Sequence, residues 1–410
     1  MKKLFYIPLL FVLVACENIY EDTHRYSRPY YLTNNYPIYL DASEILVDIQ
    51  VKPSINPDAA FKITSNDRYF FVGEKMKGIH VYEKIDESHV NPLCFIECKL
   101  MKAFDVADNL LYCNNFTDLL VIDVENPLQA KILHREKDYF NKYYNSSFNI
   151  PYYRHYQAGV DVYQIGYKTI VLEGIETDTD PAPDFSDYNQ LYLNLIVKEI
   201  PADLQLDMPF TGIANVEGNI FTFGYNCLAQ CSYTSGKINI IQWGLNIPNY
   251  TTIMPADNLQ YKDGMIFLTR YYGFLYLDYH NIMTQNQNYR SWYNVLDVVS
   301  IKDPANSFAV LSNNYTITGI GTEQGGYSSD SFSGTTSLIN VNDTILALGN
   351  ELMLYQIYLQ NNYLSIKQVK SYSGISGTSM LRDGDVFIVA NKRGLSFYDI
   401  SDLKKITLIP

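Results

Sequence analysis

Five acidic side chains recur at short intervals in one stretch of the chain, and such a pattern could hold a cation. They occupy positions 1, 3, 5, 9 and 12 of the twelve residues from Glu176 to Asp187, close to the ligand spacing of a calcium-binding loop. The sixth position, where such loops need glycine for a sharp turn, is Pro181, and the twelfth is an aspartate instead of a longer, bidentate glutamate. We therefore predict a solvated insertion between two strands here, with calcium binding as the alternative, and assign no residue to a metal.

No motif in the sequence indicates catalysis. The chain lacks a GxSxG elbow, a Walker loop, a GxGxxG turn and an HExxH helix. Its six histidines are scattered along the chain, at His24, His80, His89, His134, His155 and His280. Because no nucleophile can be matched with a base, we predict no catalytic residue, no cofactor and no enzymatic activity.

The spacing of the cysteines leaves their pairing open. Beyond Cys16 there are five, an odd number that cannot all form disulfides within the chain: Cys94, Cys98, Cys113, Cys227 and Cys231. The i, i+4 spacing of the first two and of the last two separates their Cα atoms by about 13 Å on an extended strand, too far for a disulfide. Buried free thiols are our expectation, and a zinc site, or disulfides formed across a bulge or a turn, are the alternatives.

The N-terminal residues have the pattern of an export signal followed by a lipid attachment site. Lys2 and Lys3 precede an apolar run of 11 residues from Leu4 to Val14, which is shorter than the roughly 20 residues of a membrane-spanning helix. The residues Leu-Val-Ala-Cys that end at Cys16 resemble the bacterial lipobox, in which the cysteine thiol is acylated. We predict a lipoprotein signal peptide over residues 1–15 and a lipid anchor on Cys16, with an ordinary secretory signal and a coincidental cysteine as the alternative.

The mature chain is strongly acidic. The 410-residue sequence has a formal net charge of −13, and removing residues 1–15 takes away two lysines, which leaves −15. Such a chain repels phosphate backbones and has no dense cluster of Lys and Arg, so we predict no nucleic-acid partner. Residues 16–40 are polar and Tyr-rich without a regular hydrophobic period, which predicts a tether between the anchor and a domain that spans residues 41–410.

Short runs of β-branched and aromatic residues recur beyond the tether, separated by Asp, Asn and Gly, which predicts an all-β domain. Four segments of 13 residues share one frame of apolar run, polar turn and second apolar run: Phe71–Glu83, Leu111–Asp123, Ile266–Asp278 and Phe387–Asp399. Weaker copies lie at residues 160–200, 215–243, 307–320 and 340–356. Each copy predicts a β-hairpin, and we expect the acid after the second run to accept backbone N–H bonds in the following turn.

One such unit cannot bury its apolar faces alone, so units that recur about every 40 residues must stack or close into a ring. Residues 44–51 predict a lone strand, whereas the last unit, which ends at Pro410, is one strand short. An N-terminal strand in the last blade would close the ring and remove its exposed sheet edges. We therefore predict a β-propeller of seven or eight four-stranded blades, closed by an N-terminal strand that joins the last blade.

The units at residues 110–134 and 385–409 resemble the LVIVD repeat, a propeller-forming repeat of exported bacterial proteins. The nearest match is Leu120-Val121-Ile122-Asp123, followed by Asn126-Pro127. Together with the lipobox and the Tyr- and Asn-rich composition, these units make the chain resemble a surface lipoprotein of the Bacteroides group. The resemblance implies a propeller that is lipid-anchored in the outer membrane, facing the periplasm or the cell surface, and it implies no particular activity.

From these features we predict a binding or scaffold module for a glycan or a partner envelope protein. The tyrosines between residues 139 and 156 offer apolar faces and hydroxyls that suit such contacts, although packing onto the propeller is the expectation we prefer for them. The alternative is a carbohydrate-active enzyme, a glycosidase or lyase, which would need paired carboxylates in the propeller funnel.

Overall fold

The computed structural model describes residues 27–142, 154–157, 160–177, 196–197, 205–206, 212–224, 227–244, 256–262, 264–270, 273–279, 288–291, 295–301, 307–312, 316–320, 326–331, 337–342, 344–360 and 363–410. The chain divides into two compact units, Met1–Glu44 with Ile150–Met208 and Ile45–Asn149 with Pro209–Pro410. Strands dominate the described part of both units.

The strands of the first half of the chain, numbered in chain order, are β1 Ser27–Asp41, β2 Gln50–Pro53, β3 Ala60–Ser65, β4 Tyr69–Glu74, β5 Gly78–Lys84, β6 Val90–Glu97, β7 Phe104–Ala107, β8 Leu110–Asn115, β9 Asp118–Asp123, β10 Lys131–Glu136, β11 Arg154–Gln157, β12 Val160–Thr177, β13 Ile196–Val197 and β14 Gln205–Leu206. Two single-turn helices, α1 Ala42–Ile45 and α2 Tyr139–Lys142, and a 3-10 turn at Pro127–Gln129 lie between them.

The strands of the second half are β15 Gly212–Val216, β16 Asn219–Gly224, β17 Cys227–Thr234, β18 Lys237–Gly244, β19 Ala256–Lys262, β20 Met265–Arg270, β21 Gly273–Asp278, β22 Asn288–Ser291, β23 Val295–Ile301, β24 Ser307–Ser312, β25 Thr316–Ile320, β26 Gly326–Ser331, β27 Ser337–Val341, β28 Thr344–Leu348, β29 Leu352–Gln360, β30 Tyr363–Tyr372, β31 Ser379–Asp383, β32 Val386–Asn391, β33 Gly394–Asp399 and β34 Thr407–Leu408.

The smaller unit is built on one long antiparallel pair. Strand β1 pairs with β12 from Ser27↔Thr177 to Asp41↔Val162, and the short strands β11, β13 and β14 pair with one or the other. The structure thus differs from the predicted tether, whose residues from Ser27 onward form β1. Tyr and Ile are strong strand formers, but the partner strand lies more than 100 residues away and no local pattern reveals it. The rest of the tether lies outside the described residues.

In the described part of the larger unit, seven groups of four antiparallel strands are each hydrogen-bonded in chain order; β2 adds a fifth strand to the first group, and a parallel contact between β26 and β30 joins the fifth and sixth groups into one eight-stranded sheet. The seven groups form blades 1 to 7 of a β-propeller: β3–β6, β7–β10, β15–β18, β19–β22, β23–β26, β27–β30 and β31–β34. The predicted all-β propeller is confirmed, with seven blades. The repeat predicted at residues 160–200 contributes none, because Val160–Thr177 belongs to the smaller unit, whereas the least regular copy, at 307–320, forms β24 and β25 of blade 5.

The described residues of the propeller form seven apolar core clusters, each shared between two neighbouring blades. Alternate residues of a strand face opposite sides of its sheet, so Phe71 packs against Phe104 and other residues of blade 2, whereas Phe70 and Val72 pack against blade 7. A blade that buries both faces requires continuous apolar strands, and β4 is buried along its whole length.

The seventh cluster closes the ring between the last blade and the first. Phe70 of β4 meets Phe397 of β33 with ring centroids 5.8 Å apart, and Ile63 packs in the same cluster as Ile388. Closure differs here from the predicted shared blade: β2 pairs with β6 of blade 1, and β34 gives blade 7 its own fourth strand. Side-chain packing between complete blades joins the two ends of this ring.

The repeated acids have the structural role expected from the sequence. The Oδ1 atom of Asp123 accepts a hydrogen bond from the backbone N–H of Glu125 at 3.0 Å, and Asp399 accepts one from Ser401 at 2.9 Å. Both bonds fix the turn that follows the third strand of a blade. In the described residues we find no helix with the length and apolar character needed to cross a membrane.

The contact between blades 1 and 2 is tight enough to be tested at one glycine. A Cβ atom at Gly73 would lie 2.2 Å from the Phe104 ring, whereas a Cβ at Gly374 would meet nothing within 4 Å. We expect Gly73→Ala to lower the free energy of unfolding by about 1–3 kcal/mol through overpacking, and Gly374→Ala to leave it almost unchanged. Urea unfolding followed by tryptophan fluorescence measures both, and equal stability of the two variants would contradict the described packing.

Candidate functional site

The main concave site of the described part of the propeller is its central channel, a cavity of about 590 Å³. The first strands of blades 1, 2, 3, 4, 6 and 7, together with the turn after the first strand of blade 3, contribute the residues that line it: Phe61–Ser65, Asp105, Ala214, Asn215, Glu217, Gly218, Leu259–Lys262, Ser337–Asn340 and Ser379–Arg382. Its volume lies in the range typical of small-molecule sites. Because six of the seven blades present residues of their first strand to the channel, the order of the blades brings these distant residues together.

A buried ion pair joins blades 1, 2 and 3 at the channel. The Lys62 Nζ atom lies 2.6 Å from Oδ2 of Asp105 and donates a second hydrogen bond to the Ile213 carbonyl at 3.0 Å. Asp105, with 6% of its side chain exposed, also accepts hydrogen bonds from the Thr64 hydroxyl and from the backbone N–H groups of Val106 and Asn215, at 2.6–2.8 Å. The carboxylate of one blade thereby connects both of its neighbours.

The same type of bridge recurs three blades later. The Lys262 Nζ atom of blade 4 contacts both carboxylate oxygens of Asp297 in blade 5, at 2.8 and 3.0 Å, and donates to the Leu338 carbonyl of blade 6 at 3.0 Å. Asp297 has 2% of its side chain exposed and accepts the backbone N–H groups of Val298 at 2.8 Å and Leu338 at 2.7 Å. In each bridge the lysine comes from the first of three successive blades, the aspartate from the second, and a backbone carbonyl and N–H from the third.

An asparagine accompanies each bridge on the third blade. The Nδ2 atom of Asn215 donates to the Val106 carbonyl at 2.6 Å, and Nδ2 of Asn340 donates to the Ser300 carbonyl at 2.7 Å. These residues were not among those predicted from the sequence, although the sequence repeats them: Asp-Val occurs in the first strands of blades 2 and 5, and Asn-Val in those of blades 3 and 6. The repeat is visible only when each blade is aligned with the blade three positions further along the ring.

The bridges limit what the channel can do chemically. An ionised carboxylate has about four acceptor sites, and each bridging aspartate accepts four hydrogen bonds, so neither has a lone pair left for a substrate. Glu217, at the turn of blade 3, accepts the Tyr261 hydroxyl at 2.6 Å. Arg382 is different, because in the described structure its guanidinium donates hydrogen bonds to two backbone carbonyls, those of Gly384 and Asn340.

The histidines named from the sequence do not converge. His80 is buried in blade 1, with Nε2 2.9 Å from Oε2 of Glu74 and Nδ1 3.0 Å from the Ile55 carbonyl. Burial would raise the pKa of Glu74, but hydrogen bonds from Lys77 and His80 lower it below its usual value. His89 and His134 contact Asp86 and Glu136, and His155 pairs with Val162 in the smaller unit. His24 and His280 lie outside the described residues.

Four cysteines are buried and free in the described structure: Cys94, Cys98, Cys113 and Cys231. The Sγ atoms of Cys98 and Cys113 lie 3.8 Å apart, which is contact without a bond. Burial raises the pKa of the Cys94 thiol to about 11, so this thiol stays protonated and unreactive. The expected buried free thiols are thus observed at these positions, and among the described residues no cluster of His, Cys, Asp and Glu could hold a metal ion.

The remaining predicted features lie partly or wholly outside the described residues. Cys16, the signal peptide and the acidic stretch beyond Thr177 lie outside the described residues. The first acid of that stretch, Glu176, is described and pairs with Arg28 within the β1–β12 pair. Of the tyrosines between residues 139 and 156, Tyr139 is 1% exposed, and its hydroxyl contacts Thr222 at 2.7 Å and Cys231 at 3.0 Å. This tyrosine packs between blades 2 and 3, as preferred from the sequence.

No family model matches this chain, and no curated protein matches it either. The chain is similar to several solved structures, all at very low identity. BamB from Moraxella catarrhalis is 8% identical, with 85% of this chain and 96% of that chain covered and a TM-score of 0.43. A chain of the mitotic checkpoint complex is 10% identical (86% and 91% covered, TM-score 0.47), and the computationally designed Ika8 protein is 8% identical (85% and 99% covered, TM-score 0.40). The resemblance to LVIVD repeats and to Bacteroides lipoproteins stays a prediction.

The Lys262–Asp297 bridge generates a stability prediction. Lys262→Met leaves Asp297 buried without a countercharge, which should lower the free energy of unfolding by about 3 kcal/mol. The control Lys392→Met changes a lysine that is 83% exposed and 3.9 Å from its partner Asp58, and it should change the free energy of unfolding by less than about 0.5 kcal/mol. Urea titration measures both, and a Lys262→Met variant as stable as its control would show that the bridge does not hold the blades together.

Proposed function

We propose that this propeller is a non-catalytic binding module, held on the outer membrane through a lipid on Cys16, whose ligand is a glycan or a partner envelope protein. One observation supports the non-catalytic role most strongly. Asp105, which lines the channel, and Asp297, which is bonded to the lining residue Lys262, are both neutralised by lysines and saturated by hydrogen bonds. A concave channel whose described carboxylates are all engaged in hydrogen bonds is suited to recognition.

The competing function, glycoside cleavage, requires two carboxyl groups with different tasks. One donates a proton to the leaving group, and the other attacks the sugar or activates water, at a separation of about 5–10 Å. Neither bridging aspartate can do this without giving up bonds that connect three blades. Glu217 is a single carboxylate at the channel mouth, and it is engaged by the Tyr261 hydroxyl. The described channel therefore favours binding over turnover.

The proposed anchor can be tested at one atom. Cys16→Ser removes the thiol that would be acylated, so incorporation of radiolabelled palmitate should be lost and the protein should leave the membrane fraction. Cys231→Ser, which changes a buried thiol, should retain both properties. Persistent palmitate labelling of the Cys16→Ser variant would contradict the proposed anchor.

The absence of turnover can be tested together with binding. The full chain should be retained on particular glycans of an array, or should retain particular proteins from an envelope extract, without forming products. Reducing ends and unsaturated uronates, the products of glycosidases and lyases, should stay at the level of the protein-free control during long incubation with the bound glycan. Steady product formation that scales with protein concentration would overturn the proposed function.

A further inference from the structure

We infer that the channel mouth at the first-strand ends of blades 4, 6 and 7 binds an uncharged sugar unit, with Asn340, Gln260 and Arg382 as the contacting side chains. This inference rests on the proposed function and narrows its ligand to a neutral glycan. Asn340 and Arg382 lie close to the turns between the first and second strands of their blades, since they pair with Ile345 and Phe387. They therefore belong to the same end of the channel.

Asn340 has a buried acceptor whose orientation is fixed. Its Nδ2 atom donates to the Ser300 carbonyl, which can only accept, so the other side-chain atom must be the amide oxygen. The residue is 7% exposed, and its Oδ1 atom has no hydrogen-bond donor within the described part of the chain. The matching Asn215 of blade 3 differs, because its Oδ1 atom already accepts a hydrogen bond from the Gly218 N–H at 2.8 Å.

Gln260, which also lines the cavity, carries a second acceptor of this kind. Its Oε1 atom is buried and, like that of Asn340, has no donor among the described residues. A buried acceptor without a partner destabilises the folded state, so its presence in a channel wall that is otherwise well satisfied calls for a functional reason. Because both residues line the cavity, hydroxyl groups of a ligand there are the candidate donors to both oxygens.

Arg382 supplies donors beside these acceptors. Its guanidinium lies within 3.4 Å of the Asn340 carbonyl and donates to the Gly384 carbonyl at 2.9 Å, and in the described structure it has no carboxylate partner. A guanidinium has five N–H groups, so most of them are free to donate to hydroxyl or ring oxygens. A sugar offers donors and acceptors on the same ring, which matches this mixed set of groups.

The rest of the cavity suits an uncharged pyranose. Tyr261 and Phe61 provide aromatic surface, and the Thr64 and Ser337 side chains add hydroxyls to the lining. The two lysines of the channel are neutralised by Asp105 and Asp297, and the charges of Arg382 and Glu217 have opposite signs. The chain as a whole has a net charge of −13, which disfavours binding of a polyanionic glycan.

The test uses the full chain in a detergent without a sugar headgroup, titrated calorimetrically with neutral sugars and their disaccharides: glucose, galactose, mannose, xylose and N-acetylglucosamine. Glucuronate and a neutral peptide serve as the competing ligand classes. At least one neutral sugar should bind with one site per chain and more tightly than glucuronate. Gln260→Leu and Arg382→Met should each weaken it about tenfold or more, because each removes hydrogen bonds to the ligand.

Two features separate binding from a purely structural effect. Gln260→Leu removes an unpaired buried acceptor, so it should raise the urea midpoint of the free protein while it weakens sugar binding, a combination that unfolding cannot produce. Arg393→Met, which changes an exposed arginine of blade 7 outside the channel, is the matched control for Arg382→Met and should bind like the unchanged chain. If Arg382→Met does not fold, Arg382→Lys tests the same donors.

Three outcomes would overturn the inference: no neutral sugar binds, glucuronate or the peptide binds more tightly, or sugar binding is insensitive to both channel substitutions. Each leaves the proposed function standing if the full chain still retains a glycan or an envelope protein through another surface. Failure of the proposed function has a different signature, the formation of cleavage products described above. The two failures are therefore distinguishable.

Discussion

Packing between the faces of neighbouring blades is the interaction on which the rest of this propeller depends. A four-stranded sheet with two apolar faces is unstable in water, and it buries both only when a neighbour lies on each side. The seven shared clusters meet that need all around the ring, including the one in which Phe70 of the first blade meets Phe397 of the last. In the described residues, each blade shares an apolar cluster with both of its neighbours, and the ring closes without a strand shared between its ends.

The first strands of the blades meet around the axis, where polar backbone groups, and not apolar faces, need partners. The axis is open to water at its ends, and apolar side chains alone would leave the backbone groups of those strands unsatisfied. The bridges Lys62–Asp105 and Lys262–Asp297 resolve this by accepting and donating backbone hydrogen bonds across three blades at a time. Burying each carboxylate is tolerated because its lysine and its backbone donors are already in place.

This arrangement also decides which groups remain for a ligand. Lys62 and Lys262 are paired with aspartates in the bridges. The side chains that can still form hydrogen bonds with a ligand are the amides of Asn340 and Gln260, through their oxygens, and the guanidinium of Arg382. These are groups of recognition by hydrogen bonding, held on strands that the bridges keep rigid. Catalysis by paired carboxylates and binding by amides would make opposite demands on the same few positions, and the proposed function is the second of these.

The sequence by itself determined the class of fold, the hairpin repeat and the structural role of acids such as Asp123 and Asp399, because these depend on alternation and turn chemistry within some 30 residues. Tertiary structure decided the rest. Whether Val160–Thr177 formed a blade depended on its pairing with Ser27–Asp41, and the closure of the ring depended on packing between chain ends. The channel residues come from strands up to some 300 residues apart, and single side chains such as Lys62 or Asn340 have no local pattern that marks them as neighbours. Only the ring places them side by side. The order of the blades around the ring sets which first strands meet, and the spacing of the residues in the chain does not.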